Sequence, residues 1–328
     1  MSDLPLLIAV ACVSAAGTWL ARAYALRRRL VDEPGERRSH SVATPRGGGA
    51  GPVVAIVGAL LALSPHRTAY AGAALAIAAV AAIGSWDDHR PLPARWRLLV
   101  HVAAGLMLAA AMFGPSGNAV AIVGTVAAVA VLVNIWNFMD GINGIAASQA
   151  ALVAATAACL SAPPSVAALA VAVACLAFLP FNFPKARIFL GDVGSGALGV
   201  ALALLCCDSY RVGPLDGAVL LLPLSAFLVD AGLTLLRRVL RGERWWEPHT
   251  QHLYQAFARR YGHVPVTLGY AGWTLVAGAA ALFVRPRTPE FISACLFAWY
   301  TGAAVLWVVA QRSVAAGRGR TGEKDRWA

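Results

Sequence analysis

Charge is what this sequence has least of. Asp, Glu, Lys and Arg make up 13% of its 328 residues, while 59% are hydrophobic and the mean hydropathy is +0.66. So few polar side chains cannot coat a soluble globule of this length, which excludes a soluble enzyme or scaffold. Acids are scarcer than bases, 16 against 27, giving a net charge of +11. Cysteine is also sparse. Cys12, Cys159, Cys175, Cys206, Cys207 and Cys295 lie in or beside apolar runs without metal-ligand spacing, so they read as small packing residues. No internal repeat and no extramembrane domain is visible. What the chain does have is long apolar runs.

A membrane helix needs roughly 20 mostly apolar residues to cross the hydrocarbon core. Eleven such runs are legible, near 4–24, 48–64, 69–86, 97–113, 119–137, 144–161, 166–181, 194–207, 216–236, 266–284 and 291–311. The first lacks a basic leader and a small-residue cleavage site, so it reads as a helix rather than a signal peptide. The turns divide sharply by charge: one set holds 23 of the 27 Lys and Arg, the other only Arg67, Arg211, Arg285 and Arg287. Because cations are retained on the cytoplasmic side, the expectation is an all-α integral membrane protein of about eleven helices, N-terminus outside and C-terminus inside. Residues 1–311 form one polytopic domain, and 312–328 a basic, disordered cytoplasmic tail. The net charge is mainly topology, with some attraction to anionic lipid; scattered over short loops, it does not suggest a nucleic-acid partner.

The unusual residues all fall on the basic side. Opposite turns such as "SPHR", "GPSG" and "APPS" are bland, whereas the basic set carries "DEPGERRSHSVATPRGGGAG", "WDDHRPLPARWR", "NIWNFMDGING", "NFPKARIFLGDVGSG" and "RRVLRGERWWEPHTQHLYQAFARRYG". A composite site built by loops at one membrane face is expected. Asp87 and Asp88 end the third run, where one acid is an ordinary stop signal. Two adjacent carboxylates raise each other's cost unless a cation or a shared proton relieves it. With Asp192 on another loop, the simplest relief is a divalent metal held by oxygen, Mg²⁺ by chemistry.

Asn134, Asn137 and Asp140 recur three residues apart, which puts the two amides on one helix face and the acid at its edge. Interhelical hydrogen bonding is the plainer role for such amides. The glycines Gly141 and Gly144, flanking Asn143, also let backbone N–H groups approach a ligand. In "RIFLGDVGSG", Phe189, Gly191, Asp192, Gly194 and Ser195 stand at the mouth of the eighth helix. This is either an N-cap or a phosphate cradle with an acid placed for a metal. Arg46 precedes three glycines in "ATPRGGGAG", a weak signal alone.

His249 and His252 lack the further ligands of a tetrahedral zinc site; recognition of phosphate or a lipid headgroup fits them better, with His40 a weaker third. Asp230 lies seven residues before Arg237, about 10 Å inside its helix end. A charge there costs roughly 2–3 kcal/mol, so it is functional or ion-paired with Arg237 or Arg238.

Separated acids, cations, amides and glycine loops at lipid depth suit transfer of a phosphoryl group between a nucleotide diphosphate and a membrane lipid. The order "TPRGGG", "DD", "NxxNFMDGxNG", "NFPxAxIFxGDxGS" and "PHxxHLYQ" resembles the polyprenyl-phosphate N-acetylhexosamine-1-phosphate transferase family, from about Arg37 to Tyr254. That family includes the phospho-N-acetylmuramoyl-pentapeptide translocase of peptidoglycan synthesis. The resemblance implies Mg²⁺-dependent (or Mn²⁺-dependent) transfer of a sugar-1-phosphate from a UDP-N-acetylamino sugar to undecaprenyl phosphate, releasing UMP. The product would start O-antigen, lipopolysaccharide or other surface polysaccharide at a bacterial inner membrane, with a homodimer left open.

By the same resemblance, Asp87 and Asp88 act at the reacting phosphates and Asp192 binds the metal, with Asp88 as a second metal ligand. Phe189 stacks on uracil with Asn143, Gly141 and Gly144 at its edge. Asn137, Asp140 and Arg97 line the diphosphate region; Arg46, Asn182, His249 and His252 complete the substrate-binding set. The places usually reading DDxxK and three consecutive histidines here read "DDHRP" and "PHTQH", and Asn143 stands for an Asp. These departures argue against a muramoyl-pentapeptide substrate and toward the polysaccharide-initiating branch, with UDP-GlcNAc, UDP-FucNAc or UDP-QuiNAc as donor. The competing class is a secondary transporter, in which Asp230 would be central.

Overall fold

The computed structural model describes residues 3–32, 43–114, 118–244 and 249–320. His40 lies outside the described residues. The chain is almost wholly helical: α1 (Leu4–Arg28), α2 (Ala50–Leu63), α3 (Ala69–His89), α4 (Ala94–Phe113), α5 (Ala119–Met139), α6 (Ile145–Cys159), α7 (Val166–Asn182), α8 (Asp192–Val212), α9 (Pro214–Val219), α10 (Leu221–Leu240), α11 (Leu253–Tyr261), α12 (His263–Val284) and α13 (Pro289–Arg320). Two two-residue strands, β1 (Val31–Asp32) and β2 (Thr44–Pro45), pair antiparallel between α1 and α2.

Each of the eleven apolar runs is helical. Among the described residues, seven helices (α1, α3, α4, α5, α8, α12 and α13) have the length and apolar composition to cross a membrane. The apolar α2, α6 and α7 are shorter, and the ninth expected run divides into α9 and α10. This is a multi-pass all-α membrane protein. Helix α13 runs to Arg320, so the expected change to an irregular tail at 312 does not coincide with a helix end; 321–328 lie outside the described residues.

Local chemistry sets several ends. Asn118 and Ser165 cap α5 and α7, their side-chain oxygens accepting the N–H of Ala121 (2.7 Å) and Ala168 (3.3 Å). The two ends of the bundle differ as the charge pattern requires. At one, Arg67 pairs with Asp208 (2.6 Å) and Arg285 with Asp216 (2.8 Å), so two of the few cations there are neutralised.

Helix α8 is the hub, buried without interruption from Val193 to Leu205 between α3 and α5. Small residues bring its neighbours close. A Cβ on Gly84 of α3 would lie 2.3 Å from the Asp192 carbonyl oxygen, and one on Gly199 2.6 Å from the Val133 backbone. Glycine is therefore needed at both crossings for contact, which is the usual way helices associate when lipid surrounds them.

Candidate active site at the mouth of helix α8

The C-terminal turn of α3, the end of α5 and the N-terminus of α8 meet at one end of the bundle. Asp88, 5% exposed, turns its carboxylate onto α8: Oδ1 accepts the Asp192 N–H (3.2 Å) and Oδ2 the Val193 N–H (3.1 Å). A carboxylate at a helix N-terminus satisfies orphan amides and meets the positive end of the macrodipole. Arg46, arriving through the β2 turn, donates from Nη2 to the Asp88 carbonyl oxygen.

Asp87 points the other way and accepts Arg97 Nη1 at 2.9 Å. The same Arg97 nitrogen lies 3.7 Å from Asp192 Oδ2. Asp192 Oδ1 in turn accepts Asn137 Nδ2 at 2.7 Å, and the amide also reaches Ser195 Oγ at 3.3 Å. Asp87 and Asp192 are within hydrogen-bonding reach of each other, and Asp140 feels the charges of both Asp192 and Asp88. Four carboxylates from three elements thus face two guanidiniums. Withdrawal from water, then the charges of Asp192 and Asp88, push the Asp140 carboxyl well above the usual carboxylate range.

No group of three His, Cys, Asp or Glu side chains among the described residues is arranged to hold a metal by itself. A hard divalent ion that keeps waters and phosphate oxygens in its shell needs only one or two protein carboxylates. Asp192 with Asp87 meets that requirement: each has an oxygen turned toward the Arg97 guanidinium, while Asp87 Oδ1 accepts the Leu92 N–H. Asp88 does not: both of its oxygens are turned onto the backbone of α8. The expected metal ligand at Asp88 is therefore better described as the residue that positions Asp192.

Several expected ligand contacts serve the scaffold instead. Asn182 is 3% exposed; its Oδ1 accepts the Gly144 N–H (2.7 Å) and its Nδ2 donates to the Ile188 carbonyl (2.8 Å), tying α7 to α6 and to the loop before α8. It positions these loops rather than meeting substrate. Gly141 is small because Tyr254 lies against it, where a Cβ would sit 2.2 Å from the phenol oxygen. Asn143 donates to the Pro184 carbonyl (3.0 Å), and its own carbonyl accepts the Thr267 hydroxyl (2.8 Å). Half-buried Phe189 is fixed by its backbone, donating to the Pro45 carbonyl (2.8 Å) and accepting the Gly48 N–H (2.9 Å).

The histidines reach the same end of α5. Their rings lie 4.8 Å apart, and Phe138, beside Asn137, is 6.5 Å from His249 and 6.2 Å from His252. His252 is 2% exposed and stacks on Tyr254, so only half-buried His249 presents a ring to the site. Desolvation, then His252 and Arg238, pull His249 down to about 4, with Glu243 partly opposing. His249 is neutral near pH 7.

Asp230 has neither expected role. It accepts Leu253 N–H (2.8 Å), Trp307 Nε1–H (3.1 Å), Thr234 Oγ–H (3.4 Å), Tyr254 N–H (3.0 Å) and Tyr270 O–H (2.7 Å). It caps α11, while Arg237 contacts Gln311 and Arg238 pairs with Glu243. Five donors converge on its buried side chain, which gives it a task in the scaffold. Ser195, which the sequence places in the glycine-rich mouth of α8 without a task, supports Asn137; Tyr254, the tyrosine of "HLYQ", is given no task either and packs against Gly141.

Fold and site define a multi-pass membrane protein with an acid–guanidinium cluster at one end of its bundle. Residues 70–210, which contain Asp87, Asp88, Asn137, Asp140 and Asp192, match the family model described as Glycosyl transferase family 4. A decaprenyl-phosphate N-acetylglucosaminephosphotransferase of Mycobacterium tuberculosis is 30% identical over 145 residues, 38% of this chain and 35% of that protein. An undecaprenyl-phosphate alpha-N-acetylglucosaminyl 1-phosphate transferase of Thermotoga maritima is 29% identical over 92 residues, 28% of this chain and 31% of the other. A Streptomyces coelicolor protein, provisionally named a glycosyltransferase, is 34% identical over 277 residues, 80% of this chain and 64% of its own. The chain is thus similar to polyprenyl-phosphate N-acetylglucosamine phosphotransferases over part of its length, and its match spans about a third of the mycobacterial protein's length.

Proposed function

We propose that this protein transfers a sugar-1-phosphate from a UDP-N-acetylamino sugar to undecaprenyl phosphate, releasing UMP at the cytoplasmic face of a bacterial inner membrane. The lipid-linked sugar would begin O-antigen or another surface polysaccharide. The observation that carries this reading is the meeting of Asp87, Asp140 and Asp192 with Arg97 and Asn137 on the N-terminus of α8.

In this reaction an oxygen of the lipid phosphate forms a bond to the sugar-bearing phosphorus, and the bond from that phosphorus to the UMP oxygen breaks. The lipid phosphate is already anionic near neutral pH, so direct attack needs alignment and charge neutralisation more than a strong base. Mg²⁺, or Mn²⁺ in its place, held by Asp192 and Asp87, would supply charge neutralisation at the diphosphate. Asn137 fixes the Asp192 carboxylate, and Asp88 fixes the start of α8 beneath it. Arg97, bridging Asp87 and Asp192, is the cation placed to turn toward phosphate. Neutral His249 offers a hydrogen bond to donor sugar or phosphate, and Phe189 an aromatic face to uracil.

Purified protein with undecaprenyl phosphate, Mg²⁺ and a panel of labelled UDP-GlcNAc, UDP-FucNAc and UDP-QuiNAc should yield a lipid-linked sugar and UMP. Absence of product with every donor overturns the reading. Asp192→Asn should abolish turnover and the Mg²⁺-dependent part of donor binding; unchanged Mg²⁺ dependence removes Asp192 from the metal role.

A further inference from the structure

Tyr254 is fully buried, and the proposed chemistry gives it no part. Its phenol oxygen nevertheless ends beside the acid cluster: the hydroxyl donates to the Phe138 carbonyl (2.9 Å) and accepts the Gly141 N–H and the Gln255 side-chain amide. One proton to give and two lone pairs to fill are all that a hydroxyl has. Nothing is left over for a substrate, so any effect of Tyr254 on the reaction passes through the groups it holds. The Phe138 carbonyl belongs to the last turn of α5, where carbonyls lack helical partners. Between Phe138 and Gly141 stands Asp140, whose own N–H reaches the Asn137 carbonyl only at 3.4 Å. The chain closes this turn loosely by itself, and the Tyr254 oxygen closes it from outside, with one bond on each side of Asp140. The same turn carries Asn137, which donates to Asp192 Oδ1 (2.7 Å).

The oxygen is itself held in place. Asp230 accepts the backbone N–H of both Leu253 and Tyr254, so the ring starts from a main chain pinned to α10. His252 stacks on the Tyr254 ring, centroids 5.9 Å apart, and on Phe138 at 6.2 Å, while the bare Cα of Gly141 admits the hydroxyl from the other side. Buried bonds of this kind are costly to leave unmade, because no water replaces them.

Resting on the transferase reading above, we propose that Tyr254 is a positioning residue: its hydroxyl, anchored through Asp230, sets the turn that presents Asp140 and Asn137 to Asp192. A bond that only held the fold together would lower stability on removal and leave the rate intact.

The test uses the full chain in nanodiscs. Tyr254→Phe keeps the ring and removes only the oxygen; it should lower kcat by about tenfold to a hundredfold, with KM for the UDP-sugar and for undecaprenyl phosphate near wild type. Tyr300→Phe, which removes a phenol hydroxyl from the Leu221 carbonyl (2.7 Å) at the far end of α10, is the matched control and should keep kcat even where it melts earlier. Amide hydrogen exchange in Tyr254→Phe should quicken at Asp140 and Gly141 but not at Leu253, which Asp230 still holds. Added to Asp140→Asn, Tyr254→Phe should cost little further rate, since both act on one turn. Quickened exchange with unchanged kcat, a rise in KM alone, or full additivity with Asp140→Asn overturns the proposal. Quickened exchange in a protein whose wild type turns over no UDP-sugar upholds the Tyr254 bridge and sinks the transferase reading instead. Should Tyr254→Phe fail to fold, Gly141→Ala, whose Cβ would displace the same oxygen, should show the same loss of kcat, and unchanged kcat there rejects the role.

Discussion

Asp140 shows how a single side chain here is tuned against its own stability. Its carboxyl is raised by burial and by Asp192 and Asp88. Between the ordinary value of about 3.9 and the raised one, the folded protein therefore holds a proton that the unfolded chain has lost. Stability falls as pH rises through that window. In the presence of a chelator, Asp140→Asn should raise the melting temperature near pH 8 and flatten its decline with pH, while lowering turnover; an unchanged melting curve rejects the buried-acid account. Asn182 behaves oppositely. Asn182→Ala leaves the Gly144 N–H and the Ile188 carbonyl unpaired, at about 1–3 kcal/mol each, so the variant should melt earlier. If Asn182 instead touched donor, KM would rise with melting unchanged. Motif order made both residues legible as members of the site, but not their tasks. Asn182 and Asp88 bond to backbone groups far along the chain, and no local pattern announces such partners.

At the scale of elements, the start of α8 is held at two successive turns of α3, by the Asp88 carboxylate and by the bare Cα of Gly84. Gly84→Ala would place its Cβ 2.3 Å from the Asp192 carbonyl oxygen, backbone that cannot rotate aside. The first turn of α8 must then shift, and misplacement by ~1 Å costs on the order of a hundredfold in rate. The expected result is a deep loss of kcat with the protein still folded in detergent, read by steady-state kinetics beside a melting curve. Gly196→Ala, whose Cβ would meet only side-chain methyls, Val80 at 3.0 Å and Val133 at 3.6 Å, is the mild comparison; equal kcat in the two variants would falsify the clamp. Glycine composition hinted at close helix contact, but which glycine faces which helix depends on rotations that this sequence, apolar on nearly every face, does not encode. The same holds for Asp230. Its depth in the apolar run was legible, whereas α11, the element it caps, lies twenty-odd residues further along and shows only as a short "LYQAFARRY" stretch.

For the whole molecule, the apolar runs made the helices legible because lipid imposes length and composition on every crossing. The number of crossings follows less directly, since α2, with 14 residues, rises only about 21 Å against a core of about 30 Å. Orientation rests on the count of cations, 23 on the side of the acids and four on the other. Pairing sharpens that contrast, because Arg67 and Arg285 of the sparse side are bound to Asp208 and Asp216, whereas Arg90, Arg95 and Lys185 are among the cations at the acid end. Since retention follows Lys and Arg rather than net charge, the acid end is expected in the cytoplasm, where UDP-sugars are made. In a variant without native cysteines, His66→Cys should react with a membrane-impermeant maleimide on intact cells. Lys185→Cys, beside the α8 loop, should react only after the membrane is opened. The reverse pattern would place the acids outside and remove the nucleotide donor from their reach.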